Sequence, residues 1–190
     1  MNNDRVILVQ HRKLKSQRLI LRWLELSDAP DLFEVVSDQE TTRFLFPPHH
    51  NVQQTERMIA NYYMEEPQGK YAVVLKETGK VIGTFEFRVH DHNRSGEIGF
   101  TLGSSYWGNG YMTEAGRLIL ELAFRELNLE RVYAMHDTTN PASGRLMQRL
   151  GMTLEGVLRH ERMDGNRWVD SAHYSILQTE YLHLDENPTS

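Results

Sequence analysis

The chain has 190 residues, 39% of them hydrophobic and 25% charged, which suits one soluble globular domain with enough apolar surface for a core. Its formal charge of −5 lacks the basic field of a nucleic-acid binder, and no apolar run approaches the ~20 residues of a membrane span. The absence of cysteine removes disulfides, zinc–thiolate sites and cysteine nucleophiles; with an apolar stretch at Val6–Val9 too short for a secretory signal, it points to the cytoplasm.

Residues 1–13 and 185–190 are polar or poorly patterned and are expected to be flexible tails of a single domain spanning 1–190. Arg18–Arg22 reads as the first strand. Ser27 or Asp28 is placed to cap a helix running to about Ser37, and Phe44–His50 is an aromatic, proline-broken loop. Met58, Ile59 and Tyr62 give a helical spacing over Val52–Met64. The period then changes: Tyr71–Leu75, Val81–Val89 and Gly96–Leu102 read as strands joined by polar turns. Ala115, Leu118, Ile119, Leu122 and Ala123 stripe a helix over Tyr111–Glu126, and Arg131–His136 is another strand. Asn140 as N-cap, Pro141 at the first helical position and Gly151 after the last turn bound a helix whose buried side is Leu146, Met147 and Leu150. Strands at Thr153–Glu161 and Trp168–Leu177 close the chain. Seven strands and four helices in this order predict an α/β fold with a mixed sheet and helices on both faces.

The most informative segment runs from Glu97 through Gly108-Asn-Gly110 to Ala115: a strand, a glycine loop, then a helix. Glycines permit a sharp turn and close ligand approach, and the first amides of a helix lack internal partners, so this loop can hold a pyrophosphate without a lysine. Two glycines alone read more readily as an ordinary glycine-rich turn capping a helix. The P-loop pattern is absent, and the dinucleotide fingerprint would need a small residue where Thr113 stands.

Glu97-Ile-Gly-Phe100, Trp107-Gly-Asn-Gly-Tyr-Met-Thr-Glu-Ala115, Asn140-Pro-Ala-Ser143 and Leu150-Gly-Met-Thr-Leu-Glu-Gly156, in this order, resemble the GNAT superfamily of acetyltransferases, and within it the ribosomal-protein N-terminal acetyltransferases. The resemblance covers about Leu14 to Tyr181. It implies an acetyl-CoA-dependent transfer to a primary amine and a sheet splayed into a V between its fourth and fifth strands. It implies a pyrophosphate held by the amides of Gly108, Asn109, Gly110, Tyr111, Met112 and Thr113, with Trp107 beside the cofactor. The pantetheine arm would lie along the strand carrying Phe100, Thr101 and Leu102, contacted by Asn140 and Ser143. A homodimer is a further expectation from the family.

Amine attack needs a neutral nucleophile, so a general base helps. Strand alternation separates Glu97, Gly99 and Thr101 from apolar Ile98, Phe100 and Leu102, leaving Glu97 on the acceptor side. There it is either the base, as in several family members, or a carboxylate paired with a neighbouring strand. Many GNAT enzymes carry a proton-donating tyrosine where this chain has Met147; Ser143 is the alternative, as a hydrogen-bond donor to the sulfur or as a plain capping residue. His49–His50 and His90-x-His92 lack a third ligand pattern, so no metal is expected. The acceptor is a protein N-terminal amine, or else a polyamine, amino acid or aminoglycoside; a non-catalytic acyl-CoA sensor is the alternative of another class.

Overall fold

A computed structural model of the chain describes residues 3–186, apart from the side chains of 91, 185 and 186. In chain order the elements are α1 (Asp4–Gln10), β1 (Lys13–Lys15), β2 (Leu19–Arg22), α2 (Ala29–Val36), α3 (Gln39–Thr42), α4 (Val52–Met58), β3 (Lys70–Leu75), β4 (Val81–His90), β5 (Ser95–Leu102), α5 (Tyr111–Glu121), β6 (Arg131–Asp137), α6 (Pro141–Arg149), β7 (Thr153–Asp164), β8 (Arg167–Leu177) and α7 (Gln178–Glu186). The ends of α4 and α5 widen into π-helical turns at Ile59–Met64 and Leu122–Glu126.

The eight strands form one sheet in the order β1-β2-β3-β4-β5-β6-β8-β7. All pairings are antiparallel except β5 with β6. That parallel ladder covers only Ser95↔Arg131, Gly96↔Val132 and Glu97↔Tyr133. Beyond Glu97 the strands part, β5 staying with β4 as far as Leu102 and β6 staying with β8 as far as Asp137. The mixed sheet with its V is the architecture expected from the sequence, with the splay falling between the fifth and sixth strands because β1 adds one at the edge.

The core lies on both faces, as β3 shows: Tyr71, Val73 and Leu75 join one apolar cluster with residues of α5 and α6, while Ala72 and Val74 join a second with α2 and α4. A strand covered twice reads as a continuous apolar run.

Several expectations need correction. Of the expected N-terminal tail, residues 1–2 lie outside the described residues, and residues 3–13 are not loose, because Leu8 is buried against the main cluster and Lys13–Lys15 pairs with Ile20–Arg22. The second tail is also partly structured: α7 reaches Glu186, and 187–190 lie outside the described residues. Among the described residues, α1, α3 and α7 raise the α-helix count from four to seven. Each is only four to nine residues long, too short for a helical period to declare itself, and α1 and α7 are held by tertiary contacts such as Tyr181 stacked on Phe124 at 5.0 Å. Asp28 precedes α2 as expected, but its carboxylate accepts two hydrogen bonds from Arg22, each 2.7 Å, and one from the Glu25 amide. Among the described residues no helix is long and apolar enough to cross a membrane.

Candidate active site

After Leu102 the chain makes a short turn and then a loop in which Gly108 (φ +78°) and Gly110 (φ +77°) take left-handed conformations. These are the two positions where a side chain would strain the backbone. Gly110 is the N-cap of α5, and no side chain caps this helix. The first intrahelical bond is Glu114 N–H to Gly110 C=O, at 3.0 Å. The amides of Tyr111, Met112 and Thr113 therefore lack helical acceptors and, with the helix dipole, form an anion site.

The loop is locked from two sides. Asn109 Nδ2 donates to the carbonyls of Tyr106 and Trp107, at 3.1 and 3.0 Å, and Trp107 Nε1 donates to Leu102 C=O at 2.7 Å. Across the sheet, Glu114 accepts from Ser16 Oγ (2.6 Å), Arg18 N (2.8 Å) and Arg18 Nε (2.7 Å), while Arg18 Nη1 donates to Asn109 C=O. Burial raises the Glu114 carboxyl pKa, but these donors and the Arg18 charge outweigh it and leave it below its ordinary value.

A cleft of about 970 Å³ runs from this loop into the V. It is lined by Phe100, Thr101, Leu102, Trp107, Gly108, Gly110, Tyr111, Met112, Thr113, Asn140 and Ser143, all singled out in the sequence. Phe100 and Thr101 alternate faces yet both line it, because the cleft follows a strand edge that lacks a partner. Asn109 turns back onto its own loop. Glu97 is not part of the lining; it marks the apex of the V, where the β5–β6 ladder ends. Phe44 and Arg149 also line the cleft, as do Arg18, Arg43 and Arg117, which were unforeseen because they come from segments far apart in the chain.

Asn140 occupies the N-cap position of α6, but its side chain makes no capping bond; Nδ2 donates to Ser143 Oγ at 3.1 Å instead. The Ser143 hydroxyl proton is thus left to point at a cleft ligand. Met147 is 1% exposed and packed in the core, so it supplies no donor to the cleft.

The turn before α6 depends on Asp137, whose side chain is 1% exposed and paired with Arg167. It also accepts from the Thr139 amide and hydroxyl, at 2.8 and 2.6 Å. Burial pushes its pKa up, but Arg167 and Thr139 prevail and hold it at about 2. A depressed acid stabilises the fold above its unfolded pKa, near 4, and that gain fades as pH falls towards 2. Asp137→Asn is expected to melt several degrees lower at neutral pH. In melting curves from pH 7 to 2.5, the gap to wild type should close between about pH 4 and 2; a constant gap would contradict this.

On the far face, Glu97 accepts from Arg88 Nη1 at 3.1 Å and from Tyr133 OH at 3.4 Å, with His90 Nε2 at 4.0 Å. Arg88 also pairs with Glu86, whose Oε2 accepts from Tyr62 OH at 2.6 Å. Burial, then the neighbouring Glu97 carboxylate, raise the Tyr133 phenol pKa, so it stays a donor. The register puts Tyr133, Met135 and His173 on the same face as Glu97, and His173 is bonded to Glu161 at 2.9 Å. Met135 is 40% exposed, so this face is open. The Phe44–His50 loop reaches the cleft through Phe44 and Leu45, and no residue of the 160–168 hairpin is among those lining it. Among the described residues no three His, Asp or Glu side chains are grouped to hold a metal.

Residues 18–153 match the family described as Acetyltransferase (GNAT) domain. An uncharacterized N-acetyltransferase, p20 of Bacillus licheniformis, is 35% identical over 173 residues, 88% of this chain and 97% of that protein. The putative ribosomal N-acetyltransferase YdaF of Bacillus subtilis is 28% identical, covering 87% and 94%. Spermidine N(1)-acetyltransferase of Escherichia coli K12 is 24% identical, covering 88% and 90%. The crystal structure of a GNAT-family acetyltransferase from Bacillus anthracis superimposes with a TM-score of 0.80 at 26% identity, over 88% of this chain and 99% of that one.

Proposed function

The chain belongs to the GNAT acetyltransferase family and is an acyltransferase, and we propose that it acetylates the α-amine of a polypeptide, with acetyl-CoA as donor. The observation that carries the CoA reading is the uncapped N-terminus of α5 opening into the same cleft as the unpartnered edge of β5. The fit is one of chemistry: amides and a helix dipole for a diphosphate, a free strand edge for the amides of pantetheine, and apolar Phe100 and Leu102 beside it. The Tyr111, Met112 and Thr113 amides would hold the diphosphate, and the β5 edge the arm. When bound, the thioester supplies the acetyl group. Asn140 orients Ser143 to donate towards the sulfur, and Glu97 takes the proton that the amine gives up. Backbone amides of Phe100–Leu102 would stabilise the developing oxyanion.

The state of the acidic residues supports a peptide acceptor. On the open face Glu86 and Glu97 are tied to Arg88, Glu155 to Arg131, and Glu161 to His173. A polycation is best held by carboxylates that lack such partners, whereas a peptide presents a single amine whose pKa, ~8, leaves part of it neutral and reactive at physiological pH. The relative acting on spermidine keeps a second reading in view, acetylation of a polyamine. Thiol release from acetyl-CoA, measured with peptides of varied first residue and with spermidine, tests the choice. Peptide kcat/KM should exceed that for spermidine by at least about tenfold, or 1.4 kcal/mol of transition-state stabilisation. The reverse order would make the chain a polyamine acetyltransferase.

A further inference from the structure

The cleft wall carries four arginines and two glutamates, in a chain whose formal charge is −5. Arg18 is engaged by Glu114, and Arg43 lies over the Phe44 ring at 5.2 Å. Arg117 and Arg149 differ: among the described residues neither has a carboxylate within ion-pair distance. They come from different helices and both line the cleft. Arg117 lies four residues beyond Thr113 on α5, about 6 Å along the axis. Arg149, in the last turn of α6, donates through Nε to Thr113 Oγ1 at 3.2 Å, which leaves both its terminal nitrogens available. Thr113 itself belongs to the open first turn of α5, so Arg149 is bonded to a residue of the anion site and both arginines line the cleft into which that site opens.

The amides and the helix dipole suffice for a diphosphate. Two further unpaired cations in the same cleft fit a second anion, and a guanidinium fork matches phosphate oxygens. We infer that Arg117 and Arg149 form a separate phosphomonoester subsite that takes the 3′-phosphate of the CoA ribose. The inference rests on the CoA reading above.

Calorimetric titration with CoA and with 3′-dephospho-CoA tests it. The wild-type chain should bind CoA at least about tenfold tighter than the dephospho form, the scale of one hydrogen bond to a charged group. Arg117→Ala and Arg149→Ala should each reduce that preference to within about threefold while leaving dephospho-CoA affinity unchanged. Arg149→Lys, which keeps the charge and loses the fork, should fall between. Arg145→Ala, on the same helix but outside the cleft, should keep the full preference. Equal wild-type affinity for the two ligands would overturn the subsite. So would alanine variants that weaken both ligands equally, since the arginines would then serve the diphosphate. Failure to bind either ligand would overturn the CoA reading and the subsite together.

Discussion

Gly110→Val is expected to raise the dissociation constant for CoA by more than about a hundredfold while the chain stays folded, the loss of two charge-assisted hydrogen bonds. Gly110 sits at φ +77° as the N-cap of α5, a conformation costing a non-glycine residue ~1–2 kcal/mol and a β-branched one more. The backbone relieves that strain by rotating, which turns the amides of Tyr111–Thr113 away from the anion. A Cβ there would lie 3.7 Å from Arg18 Nη2, so the neighbouring protein atoms do not clash, and the penalty falls on backbone geometry and ligand. Gly108→Val combines the same two effects: Gly108 stands at φ +78°, and nothing lies within 4 Å of its added Cβ, so the new methyl groups would project into open space beside the cleft. Calorimetry with CoA, alongside circular dichroism, checks both. Near-normal affinity in either folded variant would remove the glycine loop from the phosphate site.

Glu97→Gln is expected to lower kcat by about 10²–10⁴, the range for a lost general base, with CoA affinity changed by less than about twofold. The geometry separates these effects: Glu97 stands at the apex of the V and is absent from the lining of the cleft. Its Oε1 is held by Arg88, while Oε2 faces Tyr133 at 3.4 Å and His90 at 4.0 Å. Glutamine preserves the shape and can still accept from Arg88, so a purely structural Glu97 would show little change in kcat. An unaltered rate across pH 6–9 would reduce Glu97 to a partner of Arg88.

The parts of the fold legible in the sequence were those with a local signature. The left-handed loop shows as Gly108 and Gly110, α6 as Pro141 and Gly151, and the doubly covered strand β3 as the run Tyr71–Leu75. Elements fixed by tertiary contact left no such trace. Leu8 draws α1 into the core from a segment whose Val6 and Val9 remain exposed. The functional contacts missed were likewise long-range: Glu114 stands inside the recognised motif, but its partner Arg18 lies 96 residues earlier. Asn140 illustrates a subtler limit. Its position as N-cap was readable, but the bond from Nδ2 to Ser143 replaces the capping bond, and only geometry reveals that choice.

In the proposed reaction, acetyl passes from CoA to an α-amine across the apex of the V. The most direct measurement uses one peptide with a free N-terminus and an internal lysine, incubated with acetyl-CoA and the wild-type chain, then fragmented in a mass spectrometer. Acetyl is expected on the first residue's nitrogen and not on the lysine, with Glu97→Gln giving far less product in the same time. Acetyl on the lysine alone, or no acetylated peptide while spermidine is consumed, would contradict it.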